Sequence, residues 1–215
     1  MASGLVVGFD LDLTLIDSRP GIAATLRALS NRTGTFIDAD AAVTRLGPPL
    51  EIELARWFQP DQVEAAADGF RELYPSAAIA TSPALPGVAE SFAAIRALDG
   101  RIVLITGKYE PNARLHLAHL GLDVEAVVGW AWAQGKTDAM VEHGVHVYLG
   151  DHPADMAAAR GAPAAAIGVL TGEHTADELR AAGADEVFDD LTGFPLWLAR
   201  GGHLGWVGSD GSLAW

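Results

Sequence analysis

Leu5-Val6-Val7-Gly8-Phe9-Asp10-Leu11-Asp12-Leu13-Thr14 begins as an apolar run and stops at two aspartates one residue apart. A short apolar run closed by polar residues reads as a buried strand. Residues two apart on an extended chain point to one side, so Asp10 and Asp12 present their carboxyl groups to the same space beyond the strand. Similar runs recur at Arg101 to Ile105, Val124 to Val128, His146 to Leu149 and Ala164 to Val169. Helical patterns alternate with them at Pro20 to Arg32, Pro111 to Leu120, Thr137 to His143, Pro153 to Arg160 and Thr175 to Ala181. This alternation predicts an α/β fold, a doubly wound parallel sheet covered on both faces. Glu186 to Phe188 can add an edge strand and Leu191 to Ala199 a last helix.

One interval breaks the rhythm. About 65 residues separate the first strand's helix region from the second strand, with no strand-like run among them. Asp38 to Leu46, Leu50 to Phe58 and Pro60 to Leu73 look helical, broken at Gly47-Pro48-Pro49 and at Pro60, and Tyr74 to Val88 reads as a proline-bearing linker back to a helix from Val88 to Leu98. The expected layout is a core of residues 1–17 and 84–200, a small helical cap of residues 18–83 on two hinge-like linkers, and a Gly/Trp-rich tail of residues 201–215 with no chemistry assigned.

Composition narrows the partners. The chain has 215 residues, 14 Lys and Arg against 28 Asp and Glu, a formal charge of −14, and no cysteine. An acidic surface argues against nucleic acid, whereas a small phosphate ester is compatible if a cation and one or two lysines invert the charge locally. Without cysteine there are neither disulfides nor thiolate-bound zinc. No basic leader precedes the first apolar run and no apolar stretch reaches the length of a membrane span, so a soluble cytoplasmic protein without membrane or nucleic-acid partners is expected.

In an open parallel sheet, ligands sit beyond the carboxyl ends of the strands where strand order reverses. An order of 3-2-1-4-5 makes the first and fourth strands neighbours there, so Asp10 faces Asp151 with Thr106 beside them. Phosphoryl transfer needs an in-line nucleophile, neutralised phosphate oxygens and a protonated leaving group. Asp10 is the candidate nucleophile, and Asp12 the acid that protonates the leaving oxygen and then the base that activates water, a role requiring Asp12 to be protonated when substrate binds. Asp10, Asp151 and the backbone carbonyl of Asp12 are candidate Mg²⁺ ligands, with Asp155 one helical turn on as a holder of metal-bound water. Thr106, the backbone at Gly107, and Lys136 are candidate phosphate contacts.

These residues resemble the four motifs of the haloacid dehalogenase-like hydrolase superfamily, in its phosphoglycolate phosphatase-like group with a helical cap. The first motif, Asp-x-Asp-x-Thr, is matched by Asp10, Asp12 and Thr14, with Leu13 where glycine is usual; the second by Thr106, the third by Lys136 and the fourth by Asp151 and Asp155. Leu85-Pro86-Gly87-Val88 is similar to the family's return from cap to core. The resemblance implies a Rossmann-like core, Mg²⁺ as cofactor and an aspartyl-phosphate intermediate. It also implies that Asp12 favours a phosphatase over a dehalogenase, since a leaving halide needs no proton.

The expectation is therefore a Mg²⁺-dependent phosphatase acting on a small phosphorylated metabolite. A sugar-phosphate mutase of the same superfamily and a non-catalytic, phospho-regulated binding protein are the alternatives. A receiver-type signalling domain fits less well, because its acceptor follows the third strand and no cap interrupts its first crossover. Arg45 beside Gly47-Pro48-Pro49, and Lys108 two residues past Thr106, are secondary candidates for touching substrate. The pairs His116 with His119 and His143 with His146 have metal-like spacing but read as ordinary surface, and His152 as a turn residue. Monomer and homodimer remain equally compatible with the sequence.

Overall fold

The computed structural model describes residues 4–202; the expected tail beyond Gly202 lies outside the described residues. In chain order the elements are β1 (Val6–Phe9), α1 (Arg19–Thr33), α2 (Ala39–Ala42), α3 (Leu50–Leu54), α4 (Val63–Ala78), α5 (Val88–Arg96), β2 (Arg101–Ile105), α6 (Glu110–Leu120), β3 (Ala126–Val128), α7 (Gln134–His143), β4 (Val147–Gly150), α8 (Pro153–Gly161), β5 (Ala165–Val169), α9 (Ala176–Ala181), β6 (Glu186–Phe188) and α10 (Phe194–Ala199). The strands form one parallel sheet in the order β3-β2-β1-β4-β5-β6, the Rossmann-like arrangement with β6 added at the edge.

Register brings the strand ends together. Phe9 pairs with Leu104 of β2 and Leu149 of β4, so the residues that follow these three strands emerge side by side at the carboxyl edge. Both faces of the sheet are buried, which is why its strands read as nearly continuous apolar runs. One face packs Val7, Phe9, Leu104, Leu149 and Ile167 against α5, α6 and α10; the other packs Val6, Val103, Ile105 and Tyr148 against α7, α8 and α9. Each fully buried Leu, Ile or Val contributes roughly 1.5–3 kcal/mol.

Residues 19–81 fold as helices around a separate apolar cluster that includes Leu26, Leu29, Leu54, Phe70 and Tyr74. The two chain segments joining this insert to the sheet hydrogen-bond to each other. The Asp17 N–H donates to the Pro83 carbonyl and the Leu85 N–H to the Leu15 carbonyl, both at 2.9 Å, around an antiparallel bridge between Ile16 and Ala84.

The segment Tyr74 to Val88, read as linker, is corrected by the structure. Helix α4 continues through Pro75 to Ala78, and a 3-10 turn follows over Ile79–Thr81. Proline inside a helix removes one backbone donor. The carbonyls at the end of this helix are satisfied from side chains, because the hydroxyls of Thr81 and Ser82 both donate to Ala78. The linker shrinks to the few residues around Pro83 and Pro86. In the same insert, the stretch expected over Asp38 to Leu46 is helix to Ala42 and a 3-10 turn over Val43–Arg45, whereas the one expected from Leu50 ends early, at Leu54.

Candidate active site

Asp10 begins where β1 ends, its N–H still bonded to the Leu149 carbonyl of β4 at 2.9 Å. Asp151 follows β4, and Asp155 lies in the first turn of α8, fully buried. Carboxylate oxygens of Asp10, Asp151 and Asp155 all lie within 4.8 Å of one another. The glycine before Asp151 makes this approach possible, because a Cβ on Gly150 would stand 2.4 Å from an Asp155 oxygen.

Lys136, near the start of α7 and buried, reaches into the cluster: its Nζ is 2.5 Å from Asp155 Oδ1 and 3.1 Å from Asp10 Oδ1. The contact to Asp10 is an ion pair without hydrogen-bond alignment, and Asp10 Oδ1 has no hydrogen-bond partner among the described residues. The other Asp155 oxygen accepts the His152 N–H at 3.2 Å, so both its oxygens are engaged by protein. Thr14 donates its hydroxyl to Asp151 Oδ1 at 3.2 Å.

The electrostatics record an uncompensated site. Burial pushes the Asp10 carboxyl up to about 6 against the pull of Lys136, with Asp155 and Asp12 adding repulsion. Asp151 is likewise pushed well above the usual carboxylate range, by burial first and then by Asp155 and Asp10. Three clustered carboxylates facing one ammonium leave a formal deficit of two positive charges. Hard oxygens in that arrangement, one of them an orphan, fit a divalent cation such as Mg²⁺.

Asp12 stands apart from that cluster. Lys108 Nζ lies 2.8 and 3.0 Å from its two oxygens and 4.7 Å from the centre of the Tyr74 ring. Burial raises Asp12, but the charge and hydrogen bonds of Lys108 outweigh it and hold the carboxyl below its ordinary value. Without substrate, this lysine thus favours the ionised Asp12, whereas the acid role asks for a proton there when substrate binds. Tyr74, from α4 of the insert, extends the chain of contacts, its hydroxyl 2.8 Å from His116 Nε2 on α6. Burial and the nearby Lys108 charge lower His116 to about 4, and burial raises Tyr74 to about 12. His116, expected as ordinary surface, is instead buried and joins α6 to the insert through Tyr74.

Thr106 is buried at the end of β2, with its hydroxyl accepting the Lys108 N–H at 3.2 Å. Gly107 has no steric need of its own. A Cβ there would meet neighbouring atoms, including the Gly47 carbonyl, only at 3.7 Å, and its open side faces the cavity.

That cavity lies between sheet edge and insert, lined by Asp10, Asp12, Thr106, Gly107, Lys108 and Asp151 below and by residues of α1, α3, α4 and the loop around Gly47 above. Gly47, at φ 128°, brings the insert down onto the sheet: a Cβ there would lie 2.6 Å from the His152 ring. His152 itself accepts the Ala154 N–H through Nδ1 at 3.0 Å and caps α8. Arg45 lines the cavity, but its guanidinium is held by Glu53 at 2.6 and 3.1 Å. Leu13, where glycine is usual, is buried at φ 58°, its carbonyl accepting the Thr171 hydroxyl at 2.5 Å.

Asp10, Asp12, Thr106, Gly107, Lys108 and Asp151 thus come together in the cavity lining, with Lys136 contacting Asp10, Thr14 contacting Asp151, and Asp155 held by Lys136. The sequence reading missed Tyr74, placed in a linker, and the cavity contributions of Arg71, Tyr109, Asn112 and Trp130. Arg71 pairs with Glu51 and lies 5.6 Å from both the Tyr109 and Trp130 ring centres. Nothing local in the sequence joins residues so far apart.

A doubly wound parallel sheet carrying an aspartate cluster at its switch point, under a helical insert after the first strand, defines a class of hydrolytic enzyme. The sequence profile of haloacid dehalogenase-like hydrolases matches residues 7–169, and the chain belongs to that family. It is 29% identical over 208 residues to the tyrosine-protein kinase PtkA of Mycobacterium tuberculosis, covering 82% of this chain and 72% of that protein. It is 30% identical over 215 residues to a protein of Dickeya dadantii named "Probable phosphatase IndB", covering 87% and 90% respectively. The fold also matches that of a haloacid dehalogenase-like hydrolase of Streptococcus pneumoniae, with a TM-score of 0.77 at 22% identity, over 93% of this chain and 99% of that one.

Proposed function

We propose that the chain is a Mg²⁺-dependent phosphatase that hydrolyses a small-molecule phosphomonoester through an aspartyl-phosphate on Asp10, with residues 18–83 as a cap over the site. The carrying observation is the uncompensated Asp10, Asp151 and Asp155 cluster beside Lys136, with Asp12 and Thr106 at the same strand edge. Asp10 and Asp151, with the Asp12 carbonyl, would hold Mg²⁺, while Asp155, already engaged by Lys136 and His152, positions them. The cation supplies positive charge against the phosphate oxygens and the Asp10 carboxylate.

The protein's own residues account for the rest. Thr106, the backbone at Gly107, and Lys136 hold the phosphate while an Asp10 oxygen attacks phosphorus. The bond from phosphorus to the leaving oxygen breaks, and that oxygen takes the Asp12 proton. Arrival of a phosphate dianion draws Lys108 away from Asp12, which lets the buried carboxyl take up the proton it lacks at rest. Asp12 then removes a proton from water, the resulting hydroxide attacks phosphorus, and the Asp10 carboxylate leaves with its electron pair. The covalent bond is closed and reopened on one side chain.

A mutase must also grip a second phosphate, and Arg45 and Arg71, the cap arginines that line the cavity, are already paired to glutamates, which favours the phosphatase. A second reading, transfer to a tyrosine hydroxyl in place of water, rests on the likeness to PtkA. The test is a Mg²⁺-dependent phosphate-release screen over phosphorylated metabolites, with Asp10→Asn as control. Undiminished release in that variant overturns the nucleophile assignment. Phosphotyrosine formed from ATP, without phosphate release from esters, selects the second reading.

A further inference from the structure

From the cavity lining we infer that the alcohol half of the ester is uncharged, apolar in body, and carries a hydrogen-bonding group read by Asn112; this rests on the phosphatase reading. On the insert side the cavity is lined by Ile22, Leu26, Leu46, Leu50 and Phe70, alongside the charged Arg45, Glu51, Glu53 and Arg71. The apolar residues reward burial of carbon.

Charge points the same way. Three cations line the cavity, Arg45, Arg71 and Lys108, and each already faces a carboxylate. Arg45 is held by Glu53, which also accepts the Trp57 indole N–H at 3.1 Å and is thereby fixed in place. Arg71 pairs with Glu51 and with Asp68 at 2.9 Å. A second anion on the substrate would have to displace one of these carboxylates or sit beside it. A carboxylate-bearing ester is therefore disfavoured.

Away from the charged groups, one amide in the cavity has no partner among the described residues. Asn112, on α6, is 4% exposed; its backbone N–H serves the Tyr109 carbonyl at 3.0 Å, while its side-chain amide has no hydrogen-bond partner among the described residues. A ligand that covers this cavity-facing amide must also pair it, so a ligand that completes it is favoured over one that leaves it bare. Asn112 both donates and accepts, which suits an amide, hydroxyl or carbonyl on the leaving group.

Benzyl phosphate and its 4-carboxy and 4-carbamoyl analogues isolate these effects, with phosphoglycolate as a compact anionic ester. The expected order of kcat/KM places the carbamoyl ester above benzyl phosphate by about five- to tenfold, and benzyl phosphate above the carboxy ester by at least about tenfold. Asn112→Leu should bring the carbamoyl-to-benzyl ratio close to one. Glu53→Gln, which frees Arg45, should raise use of the carboxy ester by about tenfold. Preference for the carboxy ester or phosphoglycolate, with phosphate still released, overturns the inference and leaves the phosphatase reading intact. Binding of the esters to Asp10→Asn by calorimetry supplies a readout without turnover. The expected affinity order there, with no hydrolysis by the unaltered chain, overturns the phosphatase reading alone; no binding of any ester overturns both.

Discussion

Replacing Lys108 by Met strands a carboxylate, and the structure fixes how the damage should vary with pH. Lys108 is 8% and Asp12 20% exposed in their side chains, with both Asp12 oxygens within 3.0 Å of the ammonium. Removing one partner of a buried pair typically costs about 3–5 kcal/mol, and because Asp12 retains some solvent the lower end is expected, about 2–3 kcal/mol at pH 8. In the unaltered chain Asp12 titrates below its unfolded value, so its stabilisation is present above that value and lost as pH falls through the folded one. Without Lys108, burial raises the folded value instead, and the folded state becomes the better proton binder. The variant's deficit should then grow as pH rises, being small near pH 4.5 and full at pH 8. Urea unfolding with chelator present reads this directly, and a cycle with Asp12→Asn should show coupling of at least about 1.5 kcal/mol. A deficit independent of pH, together with additive single variants, would show that Lys108 does not hold the Asp12 charge.

Three further outcomes follow from the same geometry. Asp151→Asn removes one repelling carboxylate, so with chelator present at pH 8 it should melt higher than the unaltered chain while losing the Mg²⁺-dependent rise, about 2.7 kcal/mol at a hundred times Kd; scanning calorimetry decides. His116 is lowered to about 4 from 6.5, so the unfolded chain binds the proton first and stability should fall as pH drops through that window; His116→Gln should flatten the slope of unfolding free energy against pH, and an unchanged slope counts against it. Leu13→Gly relieves about 1–2 kcal/mol of left-handed backbone strain but gives up a buried side chain worth more, so a net loss of about 1–3 kcal/mol in urea unfolding is expected, and a gain would show that strain dominates.

The strands and their order were legible because burial on both faces writes them as apolar runs, and each of Asp10, Thr106 and Asp151 sits at a run's end. Strand ends converge by topology, so residues more than a hundred positions apart could be placed in one site. The insert was less legible. Its helices were visible, yet Pro75 read as a break, whereas Tyr74 is anchored in the core against His116 and the helix runs through. The state of Asp12 was out of reach for a related reason: it depends on where the flexible side chain of Lys108 comes to rest. Arg45 was visible as a cavity residue, but its neutralisation by Glu53 depends on the turn that folds α3 back toward it. Pairings across a fold need the fold.

The covalent role of Asp10 is tested most directly by rapid acid quench of the Mg²⁺-loaded chain during turnover, followed by mass spectrometry of the peptide that contains Asp10. This peptide should gain the mass of one phosphoryl group, in a hydroxylamine-labile linkage absent from Asp10→Asn. Steady phosphate release with no such adduct on Asp10 at any quench time, and none in a pre-steady-state burst, would contradict it.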